Sequence, residues 1–478
     1  MGIDLTYLIN LAYIVACLFF IVGIKKLSNQ STARQGNILS AVGMLICVVV
    51  VFFKNDVVQS WDTQNWLQNG IVWVVVAMSI GTVIGVVWSR RVKMTGMPEL
   101  VALYNGFGGL ASFLVAVSQF LYLNYVVEVE STVIVGVSIG FTILIGAIAF
   151  TGSMLAWGKL AEKVTGSAVV FPGQKIINLA LVLIAVGAIF FLFLPGIDLT
   201  TRVVALVVLA VISFVLGVTL VLPIGGGDMP VVISLINSLT GIAVAMAGFI
   251  ISNTVLIVSG ALVGASGMIL TLIMCKAMNR SIGNLLFSGF GANITQSSKG
   301  PGAEPKAISA EDAYLVLEAA QSVVFIPGYG MAVAQAQHVV KELAERLEAN
   351  GAEVSFVVHP VAGRMPGHMN VLLAEADIPY EQLKTMEEIN PLMPTQDVAI
   401  VIGANDVVNP AAETDESSPI YGMPIIKAHE SRTVFVLKRG KGRGFSGIEN
   451  ELFGMPNTLM IYGDAKATLS SLAKEFSE

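Results

Sequence analysis

Nine stretches of this chain are each long and apolar enough to cross a lipid bilayer, and they constrain everything else about how it can fold. They cover residues 6–24, 36–53, 70–89, 99–123, 131–157, 176–194, 203–222, 230–251 and 254–275. A span needs about 20 mostly apolar residues, and inside hydrocarbon only a helix or a closed barrel satisfies every backbone N–H and C=O. Residues 1–280 therefore read as a polytopic α-helical membrane domain. Apolar residues make up 55% of the 478 and charged residues 13%, a balance too hydrophobic for a soluble protein. No basic segment precedes the first run and no small-residue cleavage site follows it, so it is expected to stay as a span.

Charge is unevenly placed. Residues 1–280 hold 13 Lys/Arg and nine Asp/Glu, whereas 281–478 hold 14 and 24. Lys25, Lys26, Arg34, Arg90, Arg91, Lys93, Lys159, Lys163, Lys175, Lys276 and Arg280 fall in loops on one side of the spans, and only Lys54 and Arg202 on the other. The positive-inside rule then puts the N-terminus outside and everything after residue 280 in the cytoplasm. An odd number of spans gives the same answer. The acidic second half carries no footprint for nucleic acid. Cys17, Cys47 and Cys275 are scattered in apolar runs without metal or disulfide spacing, so no metal site is expected. All four histidines follow residue 280, which leaves the membrane part without an imidazole.

Small residues crowd several spans, as in Gly136-x-x-x-Gly140 and Gly260-x-x-x-Gly264, with Gly267 close by. One reading is close helix packing. The other is a thin-walled polar path, lined by Asn105, Ser153, Asp228, Ser234, Asn237, Ser238 and Ser266, because polar groups in hydrocarbon are paired or face water. Asp228 and Glu99 lie at the cytoplasmic starts of spans, where a carboxylate either favours the helix dipole or handles protons.

A Gly- and Ser-rich linker over 281–306 separates the membrane domain from a soluble domain, 307–478. There, short apolar runs near 322–326, 353–358, 397–402, 433–438 and 458–462, with a weaker one near 423–427, alternate with helical patterns near 309–319, 331–349, 370–375 and 465–476. That alternation predicts a Rossmann-like, doubly wound α/β domain, with ligands beyond the carboxyl ends of its strands.

The loops at those ends are the richest in chemistry. After the first strand comes Gly328-Tyr329-Gly330-Met331-Ala332-Val333, a dinucleotide-type turn with Val in place of the third glycine. After the second comes His359-Pro-Val361-Ala362-Gly363-Arg364, where the acid that binds a ribose 2′-hydroxyl in NAD enzymes is missing. Gly403-Ala-Asn405-Asp406 follows the third. The 433–438 strand runs into Lys438-Arg439-Gly440-Lys441-Gly442-Arg443-Gly444. No ribose acid and a basic, glycine-interleaved loop favour a 2′-phosphate, hence NADP(H) over NAD(H), although a solvated basic loop would look the same. No Ser-His-Asp set or metal cluster competes, so the chemistry expected is hydride transfer by the cofactor.

At residues 328–337, 359–364, 403–406 and 438–439 the chain resembles the β subunit of proton-translocating NAD(P) transhydrogenases. It does so again at Gly226-Gly-Asp228-Met-Pro-Val-Val232, Asn237-Ser238, 260–264 and Cys275-Lys-Ala-Met-Asn-Arg280. The resemblance implies a division of labour: NADP(H) on this soluble domain, NAD(H) on a separate α subunit, and hydride transfer coupled to inward proton flow. It further implies an assembly of two αβ units in the cell inner membrane. By matching position, Gly328, Gly330 and Val333 would meet the pyrophosphate, with Tyr329, Met331 and Ala332 between them. Lys438 and Arg439 would take the 2′-phosphate, flanked by Gly440, Arg443 and Gly444. His359, Arg364 and Asp406 are the implied catalytic residues, on the nicotinamide side or its proton-linked switch, among Val361, Ala362, Gly363, Gly403 and Asn405. In the membrane, Asn237 matches a polar path, Asp228 its cytoplasmic end, Gly267 a tightly packed position and Arg280 the hinge. Two departures stand out: Asn105 replaces a membrane histidine of some members, and Phe445 a lid tyrosine. A channel or transporter whose cytoplasmic domain only senses NADP(H) is the competing class.

Overall fold

A computed structural model of the chain describes residues 5–27, 29–53, 70–127, 133–166, 168–194, 196–225, 228–279, 281–283, 304–365, 367–416, 418, 420–440 and 449–476. Among the described residues, nine helices are long and apolar enough to span a membrane. They are α1 (Leu5–Leu27), α2 (Gln30–Val51), α3 (Gly70–Arg91), α4 (Met97–Tyr122), α5 (Val133–Leu160), α6 (Gln174–Phe193), α7 (Leu199–Val221), α8 (Met229–Ile250) and α9 (Thr254–Ala277). They fall on the nine apolar runs. Two compact units divide the chain: residues 1–157, 171–221 and 233–269 form one, and residues 158–170, 222–232 and 270–478 the other. Composition alone divides the chain at residue 280, whereas compactness groups the segments after α5 and α7 and the end of α9 with the α/β domain.

Within the first unit, the small residues do pack helices. Gly109 of α4 lies against α5 so closely that an added Cβ would come 2.8 Å from the Gly146 carbonyl oxygen. A Cβ on Gly260 of α9 would stand 2.7 Å from the Gly241 carbonyl of α8, and one on Gly140 would meet Ile189 of α6 at 2.7 Å. An apolar core from α4 to α7, including Phe120, Ile143, Ile189 and Leu209, fills the rest. Without a hydrophobic drive between helices in lipid, this backbone-level contact is what holds them together.

In the second unit a seven-stranded, all-parallel sheet runs in the order β1-β7-β6-β5-β2-β3-β4. Its strands are β1 (Lys306–Ala307), β2 (Ser322–Pro327), β3 (Glu353–Val357), β4 (Leu383–Lys384), β5 (Val398–Ile402), β6 (Thr433–Lys438) and β7 (Thr458–Tyr462). The helices are α10 (Ala310–Glu318), α11 (Tyr329–Val333), α12 (Gln337–Ala349), α13 (His368–Glu375), α14 (Met386–Ile389), α15 (Ala411–Thr414) and α16 (Ala465–Glu475). Central strands buried on both faces explain their near-continuous Val and Ile content. Val324, Ile326, Val401 and Val436 join Ile389, Met393, Ile426 and Leu452 in one layer. Phe325 and Phe356, opposite one another on β2 and β3, stack at 5.0 Å. The chain order reverses at β2, whose neighbours are β3 and β5, and a crevice opens at such a point beyond the strand ends.

Three local expectations need correcting. The helix expected over 331–349 is two helices, because Gln335 has φ +50 and breaks the hydrogen-bond ladder. The weak strand near 423–427 pairs with no strand among the described residues: the Pro424 carbonyl accepts from His359 Nε2 (2.8 Å), the Ile425 carbonyl from Asn390 Nδ2 (2.9 Å), and Ile426 N–H bonds the Val407 carbonyl (2.9 Å). The edge strands β1 and β4, two residues each, are too short to leave a period in the sequence.

Candidate functional site

At the reversal point the β2 and β5 loops meet backbone to backbone. Gly328 N–H donates to the Ile402 carbonyl (2.8 Å) and Gly330 N–H to the Gly403 carbonyl (3.0 Å). A Cβ on Gly330 would lie 2.7 Å from Gly403 Cα, and one on Gly328 would collide with the backbone of Ala404. Gly403 itself has φ +63, a conformation that glycine adopts without cost. Met331 and Ala332 are buried, Val333 is 45% exposed, and α11 ends after five residues. The glycines thus serve a close join of the β2 and β5 loops, which the dinucleotide-type spacing alone did not reveal.

The β3 loop folds onto the same turn. The Arg364 guanidinium lies 4.3 Å from the Tyr329 ring centroid, and the His368 ring stands 6.2 Å from it. Arg364 N–H donates to His368 Nδ1 (3.2 Å). Gly363 (φ +101) has no room for a Cβ, which would stand 2.7 Å from His368 Nδ1. The Arg364 side chain also donates to the Leu160 carbonyl (2.9 Å) and to Glu162 Oε1 (3.0 Å), so it caps the carboxyl end of α5. His359 is 1% exposed. Its Nδ1 accepts from Val361 N–H (3.2 Å), which leaves the proton on Nε2 to donate to Pro424. Burial pushes its pKa below the ordinary imidazole range, so the ring is neutral and orders the loop that contains Val361 and buried Ala362.

Beyond β5, Asn405 Nδ2 donates to Asp406 Oδ1 (2.9 Å). The other amide atom, Asn405 Oδ1, is buried with no hydrogen-bond partner among the described residues. Two further asparagines hold this loop. Asn409, fully buried, donates to the Glu449 carbonyl (3.0 Å) and accepts from the Ala411 and Glu451 N–H groups; Asn450 Nδ2 donates to the Asn405 carbonyl (2.8 Å). They tie the β5 loop to the chain that follows the basic segment, and their partners lie some 40 residues away, out of reach of any local pattern. At the end of β6, Lys438 is half-buried with its Nζ 4.5 Å from the Phe453 ring centroid, and burial lowers its pKa. No carboxylate pairs with it among the described residues. Arg439 and Gly440 are exposed. Arg443, Gly444 and Phe445 lie outside the described residues, as does Arg280.

Asn105 Nδ2 donates to Ser153 Oγ (2.9 Å), joining α4 to α5. Ser234 and Ser238 of α8 donate to the Gly267 and Gly264 carbonyls of α9 (3.1 and 2.6 Å). Gly267 is buried, and a Cβ there would stand 3.0 Å from Ser238 Cα. Asn237 and Asp228 are half-buried; Ser266 is exposed and bonds its own helix at Val263. No group of three or more acidic, His or Cys side chains could hold a metal ion among the described residues.

Residues 9–475 match the family model described as NAD(P) transhydrogenase beta subunit. The NAD(P) transhydrogenase subunit beta of Rhodospirillum rubrum is 45% identical over 463 residues, covering 95% of this chain and 96% of that protein. A second Rhodospirillum rubrum sequence of the same name matches with the same identity and coverage.

Proposed function

From the premise that this chain belongs to the NAD(P) transhydrogenase beta subunit family, we propose that its α/β domain binds NADP(H) while its helices carry the proton. Membership makes it one subunit of a two-part, multi-pass membrane enzyme that works on nicotinamide nucleotides with an α-subunit partner. The reading goes further: NAD(H) on the α subunit, two αβ units per assembly, the cell inner membrane, an external N-terminus, and a cytoplasmic nucleotide domain over 307–478 joined by the 281–306 linker.

The single observation that carries the nucleotide assignment is the pairing of two unmet needs around one crevice. Asn405 Oδ1 is a buried acceptor with no partner among the described residues, and the Lys438 ammonium lies half-buried over the Phe453 ring with no carboxylate beside it among the described residues. A carboxamide N–H and a phosphate dianion are the groups that would satisfy them. When bound, the nucleotide supplies or takes the hydride. Residues 328–333 with Gly403 form the turn that meets its pyrophosphate, and Lys438 with Arg439, Gly440, Arg443 and Gly444 hold its 2′-phosphate. Asn405 and Asp406 orient its nicotinamide end. His359, with Val361, Ala362 and Gly363, fixes the loop that carries Arg364, and Arg364 reaches from that loop to the end of α5. In the membrane, Asn105, Asn237, Ser266 and the close contact at Gly267 belong to the proton route, Asp228 to its cytoplasmic mouth and Arg280 to the hinge. Asn105 cannot take a proton, so water or the α subunit completes the relay there.

Vesicles containing the chain with its α subunit test this. Reduction of NADP⁺ by NADH should speed up under an inward proton gradient, which contributes about 2.3 kcal/mol per charge at 100 mV. Tight NADP(H) binding without turnover would leave only a sensor.

A further inference from the structure

Lys159, in the last turn of α5, has no part in the site just described, yet only 2% of it is exposed. Its Nζ donates to the Leu222 and Ile224 carbonyls, both at 2.7 Å. These oxygens lie just past the end of α7, at the negative end of its dipole, and the Leu222 carbonyl also accepts from Val169 N–H (3.2 Å). Burying an ammonium costs several kcal/mol before such bonds offset it. A neutral amide performs the same capping next door: Gln174 Nε2 donates to the Thr219 carbonyl of α7 (2.8 Å). Capping therefore does not explain the charge.

What the ammonium holds is the approach to Asp228. Ile224 precedes Gly225, whose carbonyl accepts from Asp228 N–H (3.1 Å), and α8, with Asn237 and Ser238, begins at the next residue. We propose that Lys159 is a positioning residue for proton translocation: its charge holds Leu222 and Ile224, and thereby the approach to Asp228 at the cytoplasmic mouth of the proton route. The proposal rests on the reading of Asp228 given above.

The test uses the full chain with its α subunit in sealed vesicles. The readout is the ratio of NADP⁺ reduction by NADH under an inward proton gradient to the rate with a protonophore. A merely structural defect lowers both rates and leaves the ratio. Lys159→Gln should cut the gradient stimulation at least five-fold, and Lys159→Arg should restore it to within two-fold of wild type. An unchanged ratio in Lys159→Gln overturns the proposal, as does equal loss in both variants. If Lys159→Gln does not assemble, Lys159→Arg alone decides by the same two-fold limit. Asp228→Asn is measured alongside. Stimulation lost in Asp228→Asn but kept in Lys159→Gln sinks this proposal only, whereas stimulation intact in Asp228→Asn removes the proton-route reading and this proposal with it.

Discussion

Gly330 shows at single-residue resolution why this turn tolerates so little. Its missing Cβ would stand 2.7 Å from Gly403 Cα, an approach that only a backbone shift could relieve. Gly330→Ala is therefore expected to destabilise the α/β domain by about 1–3 kcal/mol and to weaken NADPH at least ten-fold, read by thermal unfolding and nucleotide titration of the full chain. Wild-type behaviour in both would contradict the backbone join. The spacing Gly328-x-Gly330 was legible from sequence as a turn, but its partner at Gly403 was not, because that contact joins strands some 75 residues apart. His359 was likewise legible as a residue of interest. Its burial keeps it neutral, and its Nε2 hydrogen bond reaches Pro424, which no local pattern connects to it.

Elements follow the same division between local and distant causes. The nine spans were readable because 20-residue apolar runs have one stable outcome in lipid. β2, β3, β5, β6 and β7 were readable because strands buried on both faces are continuously apolar, whereas β1 and β4 were not. The amino ends of the central strands depend on Asp397, just before β5. Its carboxylate accepts from Gln321 N–H (3.0 Å), Ser322 N–H (3.2 Å) and Ser322 Oγ (3.3 Å), and pairs with Arg432 (2.7 Å). Burial alone would raise the Asp397 pKa, but the bonds from Gln321 and Ser322 and the charge of Arg432 outweigh it, so the pKa falls below the usual carboxylate range. A depressed carboxyl stabilises the fold above its unfolded pKa, about 3.9. That contribution is lost as pH falls further, through the folded pKa. Arg432 is 71% exposed, so the ion pair adds little compared with the backbone bonds. Urea unfolding at pH 7 should show Asp397→Asn losing about 1.5–3 kcal/mol and Arg432→Ala under about 1 kcal/mol. The reverse ranking would contradict this assignment.

On the scale of the molecule, one chain combines an apolar bundle with an acidic α/β domain, and family membership makes it one subunit of a two-part enzyme. The NADH and NADPH couples are close in energy, so on the proposed reading a proton gradient sets the direction by acting on the nucleotide-binding domain, through a conformational coupling. Everything then depends on which nucleotide the β6 end selects. Two charge-assisted contacts to a 2′-phosphate, at about 1.5–3 kcal/mol each, amount to a preference of at least about 100-fold. Titration of the purified full chain with NADPH and NADH tests this most directly. The account predicts at least that preference for NADPH, and its collapse to within about three-fold in Lys438→Ala/Arg439→Ala through loss of NADPH affinity alone. Equal affinity for the two nucleotides in the wild-type chain, or equal weakening of both in the variant, would contradict it.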